Sequence, residues 1–256
     1  GEISGTIDEL IRHATSKMSH LHFVANEEAY RRLIQMGEDE GRIFVIGSPD
    51  IDVMKSNELP SIDEVKEYYQ IRFKKYGILI FHSVTTELNM LKDQIKNIIS
   101  GIIESEENFV IIYPNNDSGT NIILDEYKKI DGNKKLQIFP SLRFKYFLTL
   151  LKNADYIIGN SSSGIREAEV YGVPTINIGS RQKNRSKNEQ IINIEPIKKN
   201  ILKSILEVKG KKLIPTSNFS KKFDSAEKFY KLLHDKNIWK ISLQKQFIDV
   251  SNNSST

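Results

Sequence analysis

The 256-residue chain contains no cysteine. Disulfides, thiolate metal sites and a cysteine nucleophile are therefore excluded, and a reducing compartment is expected. Long apolar runs are also lacking, since none approaches the ~20 residues that a membrane-spanning helix requires. No secretory signal opens the sequence, so the expectation is a cytosolic protein with no membrane partner. Charge of one sign is not in large excess: 37 Lys and Arg against 33 Asp and Glu leave a net +4. That mild bias suits an anionic small molecule and does not select nucleic acid. The HExxH, P-loop and GxGxxG patterns are all absent. His20 and His22 alternate along a short strand and so point to opposite faces, which is not a metal site.

What is present is a repeating pattern. Short continuous apolar runs, "GILIFH", "NFVIIYP", "LQIFP", "DYIIG", "VPTINIG" and "IINIE", alternate with helical segments. Such runs mark parallel strands covered on both faces, so an α/β, doubly wound sheet is expected. Residues 59–222 read as one Rossmann-like domain, with the stretch after "NFVIIYP" read as a polar loop. Ahead of it, "TIDELIRHATSKMSH" reads as a helix capped by Thr6 or Asp8, "LHFVA" as a strand, and Asn26 as the cap of a helix that Gly37 ends. "RIFVIG" is a further strand closed by the turn "GSPD". Residues 1–58 therefore read as the later part of a first Rossmann-like domain; "KSNELPSI" at 55–62 reads as linker and "DEVKEYYQIRFKKY" after it as helix. Residues 223–256 read as closing helices and a frayed tail.

Ligands of open parallel sheets bind beyond the carboxyl ends of the strands. Five polar loops follow strands there, carrying His82, then Asn115, then Ser141 and Leu142, then "GNSSSG" at 159–164, then "GSRQ" at 179–182. At the serine turn, a helix start offers unpaired backbone N–H groups and partial positive charge. Small residues let a phosphate approach them, with Ser161 and Ser162 adding hydroxyl donors. Glu167, one turn on, has the chemistry to hold a ribose diol. The competing reading is a plain helix cap, with Glu167 only complementing the dipole. Arg181, with Lys183 and Arg185, is either a phosphate ligand or part of a solvated basic loop. Asp8 and Arg12 are four apart on one helix. They make either an ion pair or an acid/base with its orienting partner.

Together "GEISGTIDELIRHATSKMSHLHF", "FHSVTTE", "YPNNDSG" and "GNSSSGIREAEVYGVPTINIGSRQKNR" resemble the hydrolysing UDP-N-acetylglucosamine 2-epimerases of sialic acid biosynthesis. The resemblance implies a GT-B-like fold of two Rossmann-like domains, the first incomplete in this chain, with a nucleotide sugar as ligand and neither cofactor nor metal. It assigns the diphosphate to Ser161, Ser162, His82 and Arg181, the ribose to Glu167, and the uridine to Asn115 and the backbone near Leu142. It makes Asp8 the acid/base carboxylate with Arg12 beside it, and gives His82 a second role at the departing UDP. The implied reaction eliminates UDP from UDP-GlcNAc, or from a close UDP-acetamido sugar, and adds water to the glycal to give N-acetylmannosamine. Family members are often dimeric, so a homodimer is open. "SSSGIREA" and "GTIDELIRH" favour the hydrolysing class over the non-hydrolysing epimerases. The family's opening phosphate-side loop, an aspartate and a glutamate precede the point matched by Gly1. A chain beginning there is expected to bind UDP weakly without turnover, so a UDP-binding module without catalysis is the third reading.

Overall fold

Every strand pairing in the structure is parallel; it is a computed structural model describing residues 1–3, 7–182, 190–215 and 224–249. Thr6, Lys183, Arg185 and the tail at 251–256 lie outside those residues. The chain divides into two units, Gly1–Ser56 with Ser217–Thr256, and Asn57–Thr216. Among the described residues no helix is long and apolar enough to cross a membrane.

The first unit opens with α1 (Ile7–Met18), β1 (His22–Val24), α2 (Glu27–Gln35), β2 (Ile43–Val45) and α3 (Pro49–Lys55). β1 and β2 pair in register from His22 opposite Ile43 to Val24 opposite Val45. Asn26 starts α2 by accepting the Ala29 N–H at 2.9 Å, the usual service of an N-cap side chain. Gly37, at φ +77°, closes it. Val24, Leu33 and Ile43 form the buried centre, with Tyr30 and Ile34 packed against them. The stretch expected as the turn "GSPD" instead begins α3. Pro49 occupies its first turn, where a missing N–H costs nothing, and Asp50 complements the dipole there.

The second unit carries α4 (Ile62–Tyr68), β3 (Gly77–Ile80), α5 (Leu91–Glu104), β4 (Phe109–Ile112), α6 (Thr120–Lys128), β5 (Leu136–Phe139) and α7 (Phe144–Lys152). It continues through β6 (Tyr156–Gly159), α8 (Ser162–Ile165), α9 (Glu167–Tyr171), β7 (Thr175–Ile178), β8 (Ile191–Ile194) and α10 (Lys198–Val208). The sheet order is β5-β4-β3-β6-β7-β8. Strand order reverses between β3 and β6, and that switch point is where an open sheet of this kind leaves a crevice at its carboxyl edge.

On one face, Leu79, Phe109, Ile111, Ile158 and Ile176 pack with Ile95 and Ile98 of α5, Ile123 and Tyr127 of α6, and Ile201 and Ile205 of α10. Burying such apolar area is the main favourable contribution to the fold, at roughly 1.5–3 kcal/mol per large side chain. α6 occupies part of the expected polar loop: Ile123 and Tyr127 sit four apart and point into this core.

Two other expectations change. The helix from Asp63 onward stops at Tyr68. There Ile71 N–H bonds to Lys66 O at 2.8 Å and Gln70 N–H to Glu67 O at 3.2 Å, with Gln70 at φ +53°. This is a Schellman closure with glutamine where glycine is usual. Ile71 and Phe73 then bury outside any helix. The segment after the serine turn is two short helices that meet at Arg166, rather than one.

The closing helix, α11 (Ser225–His234), belongs to the first unit, and Asp52 of α3 caps it. That carboxylate accepts the Ser225 N–H at 2.8 Å and the Ala226 N–H at 3.4 Å. The same unit buries Glu38 against Lys17 at 2.9 Å, Lys245 at 2.5 Å and His22 at 2.8 Å. Burial pushes the Glu38 carboxyl up, but bonds from Lys245, Lys17 and His22 outweigh it and hold the group below the usual range. Lys245 also donates to the Ser16 and Ser19 carbonyls, at 3.1 and 2.7 Å.

Candidate functional site

The carboxyl ends of β3 and β6 approach closely because the residue between them is glycine. At Gly159 φ is +134°, and an added Cβ would lie 1.9 Å from the Ile80 carbonyl oxygen. Main-chain pairing continues one step further, with Asn160 N–H on Ile80 O at 3.1 Å. The Asn160 side chain then takes over: its Oδ1 accepts the His82 N–H at 2.7 Å and its Nδ2 donates to His82 O at 2.8 Å. Two loops from different strands are thus fixed together at the switch point.

His82 is buried, and its Nδ1 accepts the Asn115 backbone N–H at 3.0 Å. A ring nitrogen that accepts carries no proton, so the neutral imidazole holds its hydrogen on Nε2. Burial, with the Arg181 charge as the lesser cause, pushes the His82 pKa down to about 4. At neutral pH His82 is therefore a hydrogen-bond donor rather than a cation.

Arg181 comes from the loop after β7 and donates through Nη1 to the Asn160 carbonyl at 3.1 Å. Gln182 is buried and donates to the same oxygen at 2.9 Å. Ser161 caps α8, accepting the Ser163 N–H at 3.3 Å, and Ser162 is the first residue of that helix. Around Asn160 the structure thus gathers His82, Ser161, Ser162 and Arg181, four of the residues expected to meet a diphosphate. Ser180, beside Arg181, hydrogen-bonds Glu87, whose other oxygen accepts from Gln94 at 3.1 Å.

The remaining expected residues stand as follows. Glu167 is half-buried in the first turn of α9, and its charge, after burial, raises the Tyr171 phenol. Asn115 is exposed, and its backbone rather than its side chain holds His82. Leu142 sits half-buried in the loop after β5, next to Arg143, whose N–H donates to the Tyr69 hydroxyl at 2.9 Å. In the first unit Asp8 is exposed on α1. Arg12 on the same helix donates to the Glu2 carbonyl at 2.9 Å, with the Glu2 carboxylate 3.8 Å away.

A cavity of about 950 Å³ opens on the second unit beyond β7 and β8. It is lined by Glu87, Gln94, Ser180, Gln182, Asn193 and Glu195, among others, and none of the expected diphosphate residues lines it. Among the described residues no cluster of His, Asp and Glu could hold a metal ion.

Residues 1–234 match the family described as UDP-N-acetylglucosamine 2-epimerase. The chain belongs to that family. It is 47% identical over 254 residues to a UDP-N-acetylglucosamine 2-epimerase of Neisseria meningitidis serogroup B, covering 98% of this chain and 67% of that protein. It is 35% identical over 234 residues to a hydrolysing UDP-N,N'-diacetylbacillosamine 2-epimerase of Legionella pneumophila, covering 91% of this chain and 62% of the relative. This family member thus spans about two thirds of the length of these relatives.

Its fold is that of solved epimerases, the GT-B-like α/β class. The UDP-GlcNAc 2-epimerase of Methanocaldococcus jannaschii superposes with a TM-score of 0.66 at 23% identity, over 90% of this chain and 66% of that one. The Neisseria meningitidis enzyme bound to UDP-GlcNAc does so with a TM-score of 0.66 at 20% identity, over 89% and 64%.

Asn160 was not among the residues expected from the sequence. Within "GNSSSG" an asparagine reads as one more turn former. Its partner lies 78 positions away, and only the strand order reveals it.

Proposed function

We propose that the second unit binds the UDP portion of a nucleotide sugar at the β3–β6 switch point. In this reading the protein converts UDP-GlcNAc, or a close UDP-acetamido sugar, to N-acetylmannosamine and UDP. The observation that carries the reading is the gathering of His82, Arg181 and the Ser161–Ser162 helix start around one buried asparagine. Neutral His82 offers Nε2–H, Arg181 offers a guanidinium, and the serines offer hydroxyl and backbone donors. Donors fixed in advance stabilise charge as it develops on a departing diphosphate.

In this reading Glu167 accepts from the ribose hydroxyls. The Asn115 side-chain amide, its backbone N–H being committed to His82, meets the uridine together with the backbone near Leu142. Asp8 takes the C2 proton as the C1–oxygen bond breaks and UDP leaves with the bonding electrons. Water then adds across the resulting double bond, its hydroxyl to C1 and a proton to C2 on the opposite face. Arg12 beside Asp8 orients the carboxylate. The Asp8 and Arg12 roles rest on the family resemblance.

Incubation of the protein with UDP-GlcNAc, followed by product identification, tests this. Free N-acetylmannosamine and UDP in equal amounts are expected. An intact epimerised nucleotide sugar would instead establish the non-hydrolysing reaction, which the name of the relative at 47% identity leaves equally open.

A further inference from the structure

Asn160 joins the two groups that the proposed site depends on, yet presents little of itself to a ligand, being 1% exposed. Its carboxamide bonds the His82 backbone on both sides, at 2.7 and 2.8 Å. Its own carbonyl accepts from Arg181 at 3.1 Å and Gln182 at 2.9 Å. The backbone N–H of Asn160 is taken by Ile80 O. The loop after β3, the loop after β6 and the loop after β7 therefore meet at one residue.

We infer that Asn160 is the positioning residue of the diphosphate site, setting the distance between the His82 Nε2–H and the Arg181 guanidinium. The inference rests on the reading of that site as a UDP site. Asn160 acts through His82 and Arg181 and makes no contact of its own with the ligand.

The chemistry requires a carboxamide. Bonding both the N–H and the C=O of one residue takes an acceptor and a donor on the same short side chain, and the asparagine carboxamide supplies both without charge at neutral pH. Aspartate would place a lone pair against the His82 carbonyl, and alanine would leave two buried backbone groups unpaired. His82 would then lose its fixed approach. The Asn115 N–H that sets the imidazole tautomer would no longer be aligned with Nδ1. Arg181 would be affected in a second way, since the carbonyl it bonds belongs to the same residue. Misplacing donors by even an ångström is costly where the donors act by being fixed in advance.

The test is calorimetric titration of the chain with UDP in four forms: wild type, Asn160→Ala, His82→Ala and the double variant. If Asn160 works through His82, Asn160→Ala weakens UDP binding by about tenfold in the wild-type background and by less than about threefold once His82 is gone. An equal factor in both backgrounds, or no factor in the wild type, overturns the inference. A second variant covers the case in which Asn160→Ala does not fold. Asn160→Asp has the same shape, and when protonated its hydroxyl can donate to the His82 carbonyl. The affinity of Asn160→Asp relative to wild type is expected to recover on acidification, and a pH-independent ratio overturns the inference. A wild-type chain that does not bind UDP overturns the reading of the site as well. UDP binding with additive variants overturns the Asn160 role alone.

Discussion

Acidification should destabilise the second unit through His82, in a pH window that the structure defines. The folded imidazole stays neutral down to about pH 4, whereas an unconstrained histidine takes up its proton near 6.5. Between these values the unfolded chain binds more protons than the folded one, so stability falls as pH falls. Above the upper value the group is neutral in both states and contributes nothing to the pH dependence. At roughly 1.4 kcal/mol per pH unit, the loss across the window is about 3 kcal/mol, a sizeable share of ordinary domain stability.

The assay must report on the second unit alone, because the single tryptophan, Trp239, lies in the first. Hydrogen exchange of the buried β3 and β4 amides, read by mass spectrometry, does this. His82→Gln removes the titrating group while keeping a polar side chain of similar reach. Wild-type protection should fall away from that of His82→Gln as pH drops through the window, and run parallel to it above pH 6.5. Parallel curves throughout would refute the claim that His82 is held neutral by burial and by Arg181.

Three further outcomes are expected. Ser162→Ala should weaken UDP binding by ~1–3 kcal/mol, the range for a hydrogen bond to a charged group; unchanged affinity by calorimetry would remove Ser162 from the site. Asp8→Asn should leave UDP affinity intact and abolish release of UDP from UDP-GlcNAc, and retained turnover would exclude Asp8 as the acid/base. Lys245→Met should destabilise the first unit by about 1–3 kcal/mol, because Glu38 stays buried with one cation fewer; Trp239 fluorescence during urea unfolding would show it as a lower midpoint.

Much of the second unit could be read from the sequence because its strands are buried on both faces and appear as uninterrupted apolar runs. "GILI", "FVII" and "YIIG" each became a central strand. Helix ends were harder. α4 closes on Gln70 in the left-handed region, where glycine would have been the visible signal. α3 began inside what looked like a turn, since Ser-Pro-Asp serves either purpose. α6 shows its two inward residues, Ile123 and Tyr127, only after a run of polar loop formers.

The site divides in the same way. His82, Ser161, Ser162 and Arg181 follow strands and could be picked by position alone. The groups that fix them could not. Asn160 pairs with His82 across 78 residues, and the Asn115 contact is made by a main-chain N–H that any residue but proline could supply. Asp52 likewise caps a helix that starts 173 residues later. Such contacts follow from topology, which one sequence does not display.

The central claim is that the β3–β6 switch point holds a nucleoside diphosphate through its phosphates. Titrating this chain with UDP and with uridine under identical conditions tests it most directly. The account predicts one UDP site, bound at least about tenfold more tightly than uridine, with that advantage lost in Arg181→Met. Equal affinity for the two ligands, or a UDP advantage that survives Arg181→Met, would contradict it.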